Sequence, residues 1–235
     1  SDRLEKTFTS VNFNMMIMVI YALITIAIFG MWYYARYEGS FLPSPKKTFN
    51  PMMLAAIVIL VPGTQFAANF IANLTGYIRP DWLQQYNELF ETSGITDTTF
   101  VTVLYSVILA PICEELIFRG VTMRCARKAL PFALANLMQA ALFGLFHLNW
   151  IQGIYAFALG IVLGYVCECG GSIYYSMWLH LLFNLWGTLS GFFPDPGNCV
   201  VICVIVIAVT IVSLVVGFVL FNKGRRKLPI NSTGI

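Results

Sequence analysis

The chain has 235 residues, of which 58% are hydrophobic and 11% charged, with a formal net charge of +3. An ordinary soluble domain has roughly 45 to 50% apolar and about 25% charged residues, so this composition excludes an ordinary water-soluble domain. No Gly-rich phosphate loop or nucleic-acid motif accompanies the small positive charge, so no nucleic-acid partner is expected. An integral membrane protein with the lipid bilayer as its main solvent is the class that remains.

Long apolar runs predict an all-α membrane bundle, because about 20 apolar residues cross the core of a bilayer. We predict about seven spans in a single membrane domain covering residues 1–235. The first run is too long for a signal-peptide core and lacks a small-residue cleavage site. The chain does not begin with Met, so an eighth helix could precede it. The predicted spans are about 11–34, 52–75, 99–118 with a possible helical extension, 131–149, 150–166, 172–193 and 198–222.

Basic residues beside the spans predict the orientation, since cytoplasmic connections collect Lys and Arg. Eleven lie on one side and three on the other, which places the N-terminus of this chain outside and the C-terminus in the cytoplasm. The eleven are Arg36, Lys46, Lys47, Arg119, Arg124, Arg127, Lys128, Lys223, Arg225, Arg226 and Lys227, and the three are Arg3, Lys6 and Arg79.

The loop at about 76–98 is predicted to lie on the outer side and carries mostly acidic charges. Within it, the segment WLQQYNELF is predicted to form a short helix on the membrane surface. A solvated face is the simpler interpretation of its charges, although a role in binding substrate is conceivable.

Six cysteines suggest a redox or metal site at first sight. Cys113, Cys199 and Cys203 lie in apolar runs, whereas Cys167 and Cys169 form a C-x-C pair. That spacing differs from the C-x-x-C of a zinc knuckle, and no second pair or His follows at ligand spacing. The cysteines are therefore interpreted as ordinary small apolar residues.

Several polar side chains lie within the predicted spans, where an ionised group costs roughly 2.5 to 3.5 kcal/mol on insertion scales. Both histidines of the chain are among them. A lone His on an apolar helix is more often structural, but this set occupies three helices, which favours function. The residues are Glu114, Glu115 and Arg119 in the third span, Phe143 and His147 in the fourth, and His180 and Asn184 in the sixth.

Helix lengths indicate that these side chains can meet. A turn near Pro131 would separate Glu114 and His147 by about 16 residues on either side, or roughly 24 Å of helix each, so they would lie level. His180 lies about nine residues beyond Gly171, or roughly 13 Å inside the same face. We therefore expect the three helices to converge on one buried site that opens towards the cytoplasm.

A carboxylate beside an imidazole can activate water, because Glu accepts the proton while His orients the water or shares the charge. A second His with an Asn four residues later offers donors for the oxyanion that forms when a carbonyl is attacked. The same atoms, Glu114, His147 and His180, could instead hold a divalent metal such as zinc, although the His-x-x-x-His helix of common zinc proteases is missing.

The segments EELIFR, FGLFH and HLLFN begin at Glu114, Phe143 and His180 and lie in order on separate spans. They match the patterns EExxxR, FxxxH and HxxxN. Over about residues 110–190 the sequence resembles the CPBP family, the CAAX proteases and bacteriocin-processing enzymes. The resemblance implies that 110–190 form the protease core of an intramembrane endopeptidase related to the type II CAAX prenyl endopeptidase.

The resemblance also implies roles for the motif residues. Glu114 would be the general base and His147 its partner, with His180 and Asn184 as the oxyanion site. Glu115 and Arg119 would support them, and Phe143 would pack beside His147. The substrate would be a membrane-embedded or lipidated peptide or protein. Whether a metal takes part stays open, because a metal-free glutamate mechanism explains the same residues.

Two other classes remain as alternatives. Some members of the family are thought to be non-catalytic, acting in bacteriocin immunity or binding a partner. A transporter or proton relay also uses buried Glu and His, but repeated halves with broken helices would then be expected.

Overall fold

The computed structural model describes residues 11–38, 49–93, 99–190 and 200–225. Within these ranges the chain is helical and contains no β-strand. Most of the predicted spans correspond to helices with similar bounds. In chain order the helices are α1 (Val11–Tyr33), α2 (Pro51–Ile78), α3 (Pro80–Ser93), α4 (Phe100–Ala126), α5 (Phe132–Phe146), α6 (Trp150–Gly170), α7 (Ile173–Ser190) and α8 (Val200–Gly224).

Five of these helices are long and apolar enough to cross a membrane, namely α2, α4, α6, α8 and the segment Met15–Arg36 that begins in α1. Helix α5 has only 15 residues, and α7 carries the polar His180 and Asn184. The predicted count of seven spans is therefore not confirmed, although a helix occupies each predicted position. The helical extension of the third span is confirmed by α4, and the short helix of the 76–98 loop by α3.

The core of the bundle lies between α2, α6 and α7. Ala56, Ile57 and Leu60 of α2 are fully buried and share one apolar cluster with Leu163 of α6 and Leu179 of α7. Only 17% of the residues in the most apolar stretch of α1 are buried, and only 11% of those in the most apolar stretch of α8. These two helices therefore present most of their apolar side chains outwards, as expected of helices in contact with lipid.

Pro62 interrupts the interior of α2, since proline has no N–H to donate to the preceding turn. Next to it, the hydroxyl of Ser213 in α8 accepts a hydrogen bond from the Gly63 N–H at 2.9 Å and donates to the Ile59 carbonyl. A Cβ at Gly63 would lie only 2.7 Å from this hydroxyl. Glycine therefore permits α8 to approach and to satisfy backbone groups beside the proline.

The two ends of the bundle differ in charge. At one end Arg127 pairs with Glu168 at 3.1 Å, and the Asn50 side chain joins α2 to the Gly224 carbonyl of α8 at 2.7 Å. The described residues there include most of the basic groups counted from the sequence. Arg119 is not one of them, because it is fully buried within α4, so counting it as a connecting-loop charge was wrong and ten remain.

Helix α3 covers part of the opposite end. Its Trp82 ring stacks on Trp150 of α6 with centroids 5.3 Å apart, and the Arg79 guanidinium lies 4.3 Å from the Trp82 ring. The hydrogen-bonded ion pair with Arg79 holds the pKa of the Asp81 carboxyl below its usual range. These contacts attach α3 to the start of α6 and define the end of the bundle that has few basic residues.

Candidate active site

Helix α4 holds the glutamate pair in an irregular stretch of helix. The segment Ala110–Glu115 is α-helical, and π-helical turns precede it at Leu104–Leu109 and follow it at Leu116–Met123. Pro111 explains the first turn, because it has no N–H and the preceding Ala110 N–H bonds back to Tyr105. π-Helical turns within α-helices are frequent at functional sites, and here they flank the segment that carries both glutamates.

This irregularity leaves the Ser106 carbonyl without its ordinary helical partner. The Ala110 N–H, which would reach Ser106 in an α-helix, bonds to Tyr105, and position 111 offers no N–H. The Asn184 side chain of α7 donates to the Ser106 carbonyl at 2.8 Å instead. Asn184 therefore has a structural contact in addition to its place at the site, and one N–H of its amide remains for another acceptor.

Glu115 is fully buried, and its carboxylate contacts the guanidinium of Arg119 and the imidazole of His180. Its Oε1 accepts from Arg119 Nη1 at 2.7 Å, one helical turn away, and lies 2.9 Å from His180 Nδ1. Since a carboxylate can only accept, His180 donates from Nδ1. Arg119 also donates to the Gly160 carbonyl of α6 at 3.3 Å. The buried pair thus joins α4, α6 and α7 and fixes the orientation of the His180 ring.

Glu114 has a different environment from its neighbour. Its side chain is 17% exposed, whereas that of Glu115 is 0% exposed. Its Oε2 lies 3.6 Å from Nε2 of His180, which is longer than an ordinary hydrogen bond. Glu114 is therefore the accessible carboxylate of the pair, and the Nε2 of an already oriented imidazole faces it.

His147 lies at the C-terminal end of α5, where the chain turns into α6. Its Nδ1 is 2.8 Å from the Phe143 carbonyl. A carbonyl cannot donate, so Nδ1 carries the proton, and in the neutral ring Nε2 keeps its lone pair. The next residue, Leu148, has a positive φ of 54°, an uncommon conformation for a non-glycine residue. This tight turn holds His147 at the edge of the site.

Phe143 packs between the functional groups. Its ring is edge-on to both imidazoles, with centroids 4.9 Å from His147 and 5.7 Å from His180, and the Arg119 guanidinium lies 4.5 Å from its centre. The side chain is completely buried. Phe143 thus fixes two rings and one cation at once, which is a packing role.

A cavity of about 830 Å³ connects these residues. Glu114, His147, His180 and Asn184 all line it, so the predicted convergence of three helices on one site is confirmed. Tyr155 also lines it and pairs with Tyr86 of α3 through their hydroxyls. Burial raises the pKa of the Tyr86 phenol, so this phenol stays neutral and can hydrogen-bond.

The cavity extends from Glu114 towards the end of the bundle that α3 covers, where Tyr86, Leu89 and Ser190 line it. Arg127, which forms an ion pair with Glu168, lies at the other end. The expected cytoplasmic opening and the expected cytoplasmic position of the basic residues therefore cannot both hold. The cavity therefore lies nearer the end that α3 covers than the end that carries Arg127.

The donor set does not fit a metal ion. Among the described residues, no group of three or more His, Cys, Asp or Glu side chains is arranged to hold one. Glu114, His147 and His180 are therefore not arranged as a three-ligand zinc site. The Nδ1 atoms of His180 and His147 bind Glu115 and a backbone carbonyl, which leaves Nε2 as the available nitrogen of each ring. Of the cysteines, Cys113 and Cys167 are buried and free, and Cys199 lies outside the described residues.

Sequence reasoning missed several cavity residues. Gln65 and Asn69 of α2, Tyr105 of α4 and Tyr155 of α6 all line the cavity beside the motif residues. Their signal was present as neutral polar groups inside apolar runs, but these cost less than charges and attract less attention. Their placement depends on how α2 and α6 pack, which no local pattern reveals.

Fold and site together define a helical membrane protein with a glutamate and histidine cluster buried inside its bundle. Residues 96–186 match the family model described as type II CAAX prenyl endopeptidase, Rce1-like, and this segment contains all three motifs. Through this segment the chain is similar to the CPBP family of CAAX proteases. No curated protein and no solved structure is significantly similar to the chain.

Proposed function

We propose that the protein is an intramembrane endopeptidase that hydrolyses a peptide bond in a membrane-embedded or lipidated substrate. One observation carries the proposal: His180 is held by the buried Glu115 with its free nitrogen towards Glu114, which lines a cavity within the bundle. The match of residues 96–186 to a prenyl endopeptidase family supports this chemistry.

In the proposed reaction Glu114 is the general base. It accepts a proton from a water molecule in the cavity while the water oxygen bonds to the carbonyl carbon of the substrate. His147, with its proton held on Nδ1 by Phe143, uses the Nε2 lone pair to accept a hydrogen bond and orient that water. When the tetrahedral intermediate collapses, the carbon–nitrogen bond breaks and Glu114 returns the proton to the leaving amine.

The developing oxyanion needs donors that are already in place. His180 in its protonated form supplies Nε2–H, since Nδ1–H is occupied by Glu115. Asn184 supplies the N–H that does not bind the Ser106 carbonyl. Glu115 and Arg119 then act as positioning residues, because they hold the His180 ring without contacting the substrate.

The substrate class follows from the setting and from the family. A cavity enclosed by apolar helices admits a segment that arrives through or along the bilayer, and the matched family acts on prenylated CAAX proteins. If the protein acts in a bacterium, a peptide pheromone, a bacteriocin leader or a membrane protein takes the place of the prenylated substrate.

The proposal is tested with purified protein in lipid nanodiscs and a farnesylated peptide that ends in a C-a-a-X sequence. Glu114→Ala and His180→Ala should each reduce kcat by about 10²- to 10⁴-fold, as expected when acid–base or oxyanion groups are removed. Glu168→Gln is the matched control, because Glu168 forms an exposed ion pair at the other end of the bundle. Equal cleavage by the wild type and both alanine variants would refute the catalytic role.

The same assay separates the alternative of a non-catalytic family member. Such a protein would bind a partner or peptide with no turnover in any variant, and Glu114→Ala would leave binding unchanged. Product identification by mass spectrometry, showing loss of a C-terminal peptide only with intact Glu114, would instead establish the endopeptidase.

A further inference from the structure

Gln65 of α2 is a polar side chain that the catalytic proposal does not use. It is 7% exposed, lies in a membrane-crossing helix and lines the same cavity as Glu114 and His180. Its carbonyl oxygen Oε1 has no hydrogen-bond partner, and its Nε2 is 3.4 Å from Asn69 Oδ1, longer than the usual 2.9 to 3.0 Å. Burying an amide unpaired costs about 1 to 3 kcal/mol, so this amide needs an explanation.

The surface around Gln65 is shaped to accept an occupant. Gln65, Ala68, Asn69 and Ala72 recur with helical spacing and all line the cavity, so α2 presents a stripe of small side chains with two amides. Across the cavity, Gly187 of α7 has no side chain, and a Cβ there would lie 3.9 Å from Gln65 Nε2. Glycine at this position leaves space beside Nε2 of an amide whose Oε1 is buried without a partner.

We propose that Gln65 binds the backbone of the substrate peptide, accepting a hydrogen bond from one of its N–H groups at Oε1. This inference rests on the proposed function and adds a positioning residue to it. An extended peptide in a cavity surrounded by apolar helices has backbone groups that must be paired. A primary amide offers an acceptor and donors in one plane, which matches a peptide bond. Gln65 lies outside the family-matched segment 96–186.

Distances along α7 indicate which substrate residue is bound. Gly187 follows Asn184 by three residues, or about 4.5 Å of helix rise. An extended peptide advances about 3.3 Å per residue. Asn184 marks the proposed oxyanion site, so the Gln65 contact falls one or two residues from the bond that is cleaved.

The test combines Gln65→Met, which keeps the length and removes the hydrogen bonds, with substrates in which single backbone amides are replaced by esters. The probe is the farnesylated C-a-a-X peptide. In the wild type, an ester one or two residues from the cleaved bond should lower kcat/KM by about 5- to 30-fold, mainly through KM. Gln65→Met should show a similar loss with the amide peptide and no additional loss with that ester.

Gln139 supplies the matched control. It is also buried with an unpaired Oε1, but its Nε2 bonds to Asn136 and to the Gly160 carbonyl at 2.7 and 2.9 Å, and it does not line the cavity. Gln139→Met should lower the melting temperature without altering the ester effect. A Gln65→Met variant whose only change is a lower melting temperature, or identical ester penalties in both proteins, would overturn the proposal.

Failure of the catalytic proposal is recognised separately. In that case the wild type cleaves no peptide, and affinity is measured instead with Glu114→Gln protein and the fluorescently labelled peptide. A Kd raised about 5- to 30-fold by Gln65→Met would still support backbone binding, whereas an unchanged Kd or no binding at all would refute it.

Discussion

The Asn184 side chain donates a hydrogen bond to the Ser106 carbonyl at 2.8 Å, and this carbonyl is available because Pro111 has no N–H to offer it. The contact fastens α7 to the irregular turn that precedes the glutamate pair. The last residue of the HxxxN motif therefore has a packing task as well as the proposed catalytic one. Loss of activity on removing Asn184 could arise from either, so the two tasks must be measured separately.

A double-mutant cycle with Pro111 separates them. Asn184→Ala should lower stability by about 1 to 3 kcal/mol, because it leaves the Ser106 carbonyl unpaired. Pro111→Ala supplies an N–H at position 111, within reach of this carbonyl. In that background Asn184→Ala should cost much less stability but should still reduce kcat. Melting temperature and kcat are measured for all four proteins, and recovery of kcat together with stability would show that Asn184 is only structural.

Much of the helical framework could be predicted from the sequence. Apolar runs located the helices, and the Gly170–Gly171 pair marked the turn before α7, where Gly171 has a left-handed φ of 67°. The π-helical turns of α4 could not be predicted, because Pro111 within an apolar run is compatible with a kink, a break or a changed register. The contact that selects among them comes from Asn184, 78 residues away.

The sequence predicted that the motif residues lie at one depth, but it did not predict which of them contact each other. Helix rise along the chain gives depth, so Glu114, His147 and His180 were expected at one level, and all three line the cavity. The angular position of a helix in the bundle is not a local property. The sequence therefore did not reveal that His180 lies between Glu114 and Glu115, or that α2 adds Gln65.

The two adjacent glutamates should behave differently when each is neutralised. Glu114→Gln should abolish activity with little change in melting temperature, because Glu114 is partly exposed and has one long contact. Glu115→Gln should lower stability by about 3 to 5 kcal/mol, since it leaves the fully buried Arg119 without its counter-charge. Thermal unfolding and kcat of both variants check this prediction, and a stable Glu115→Gln protein would contradict the structural role of the pair.

Arg119→Lys should not be a conservative change. A lysine ammonium can replace the charge opposite Glu115, but it lacks the planar group that also reaches the Gly160 carbonyl and lies over the Phe143 ring. We expect a lower melting temperature and a lower kcat with KM nearly unchanged, because Phe143 and Glu115 together hold the histidines. Wild-type kcat in the lysine variant would show that charge alone is sufficient.

Two substitutions of His147 distinguish the roles of its two ring nitrogens. The amide of Asn can take the place of Nδ1–H and keep the bond to the Phe143 carbonyl, whereas the amide of Gln extends to the position of Nε2. His147→Asn should therefore retain the melting temperature and lose kcat, and His147→Gln should retain more activity. Both variants are compared in the nanodisc assay. Equal activity of the two would indicate that the proposed water-orienting atom is not Nε2.

The orientation in the membrane decides which compartment supplies the substrate. Ten basic residues remain on one side after Arg119 is removed from the count, so the positive-inside rule predicts that this end lies in the cytoplasm and that α3 lies outside. Native Cys125 is exposed at the basic end, and Gln85 is exposed on α3. With the other cysteines replaced, a membrane-impermeant maleimide applied to intact cells should label Gln85→Cys and leave Cys125 unlabelled until the cells are opened. The structure requires opposite accessibility at these two sites in either orientation. Labelling of Cys125 alone would place the cavity end in the cytoplasm and would show that the basic residues do not set the topology of this protein.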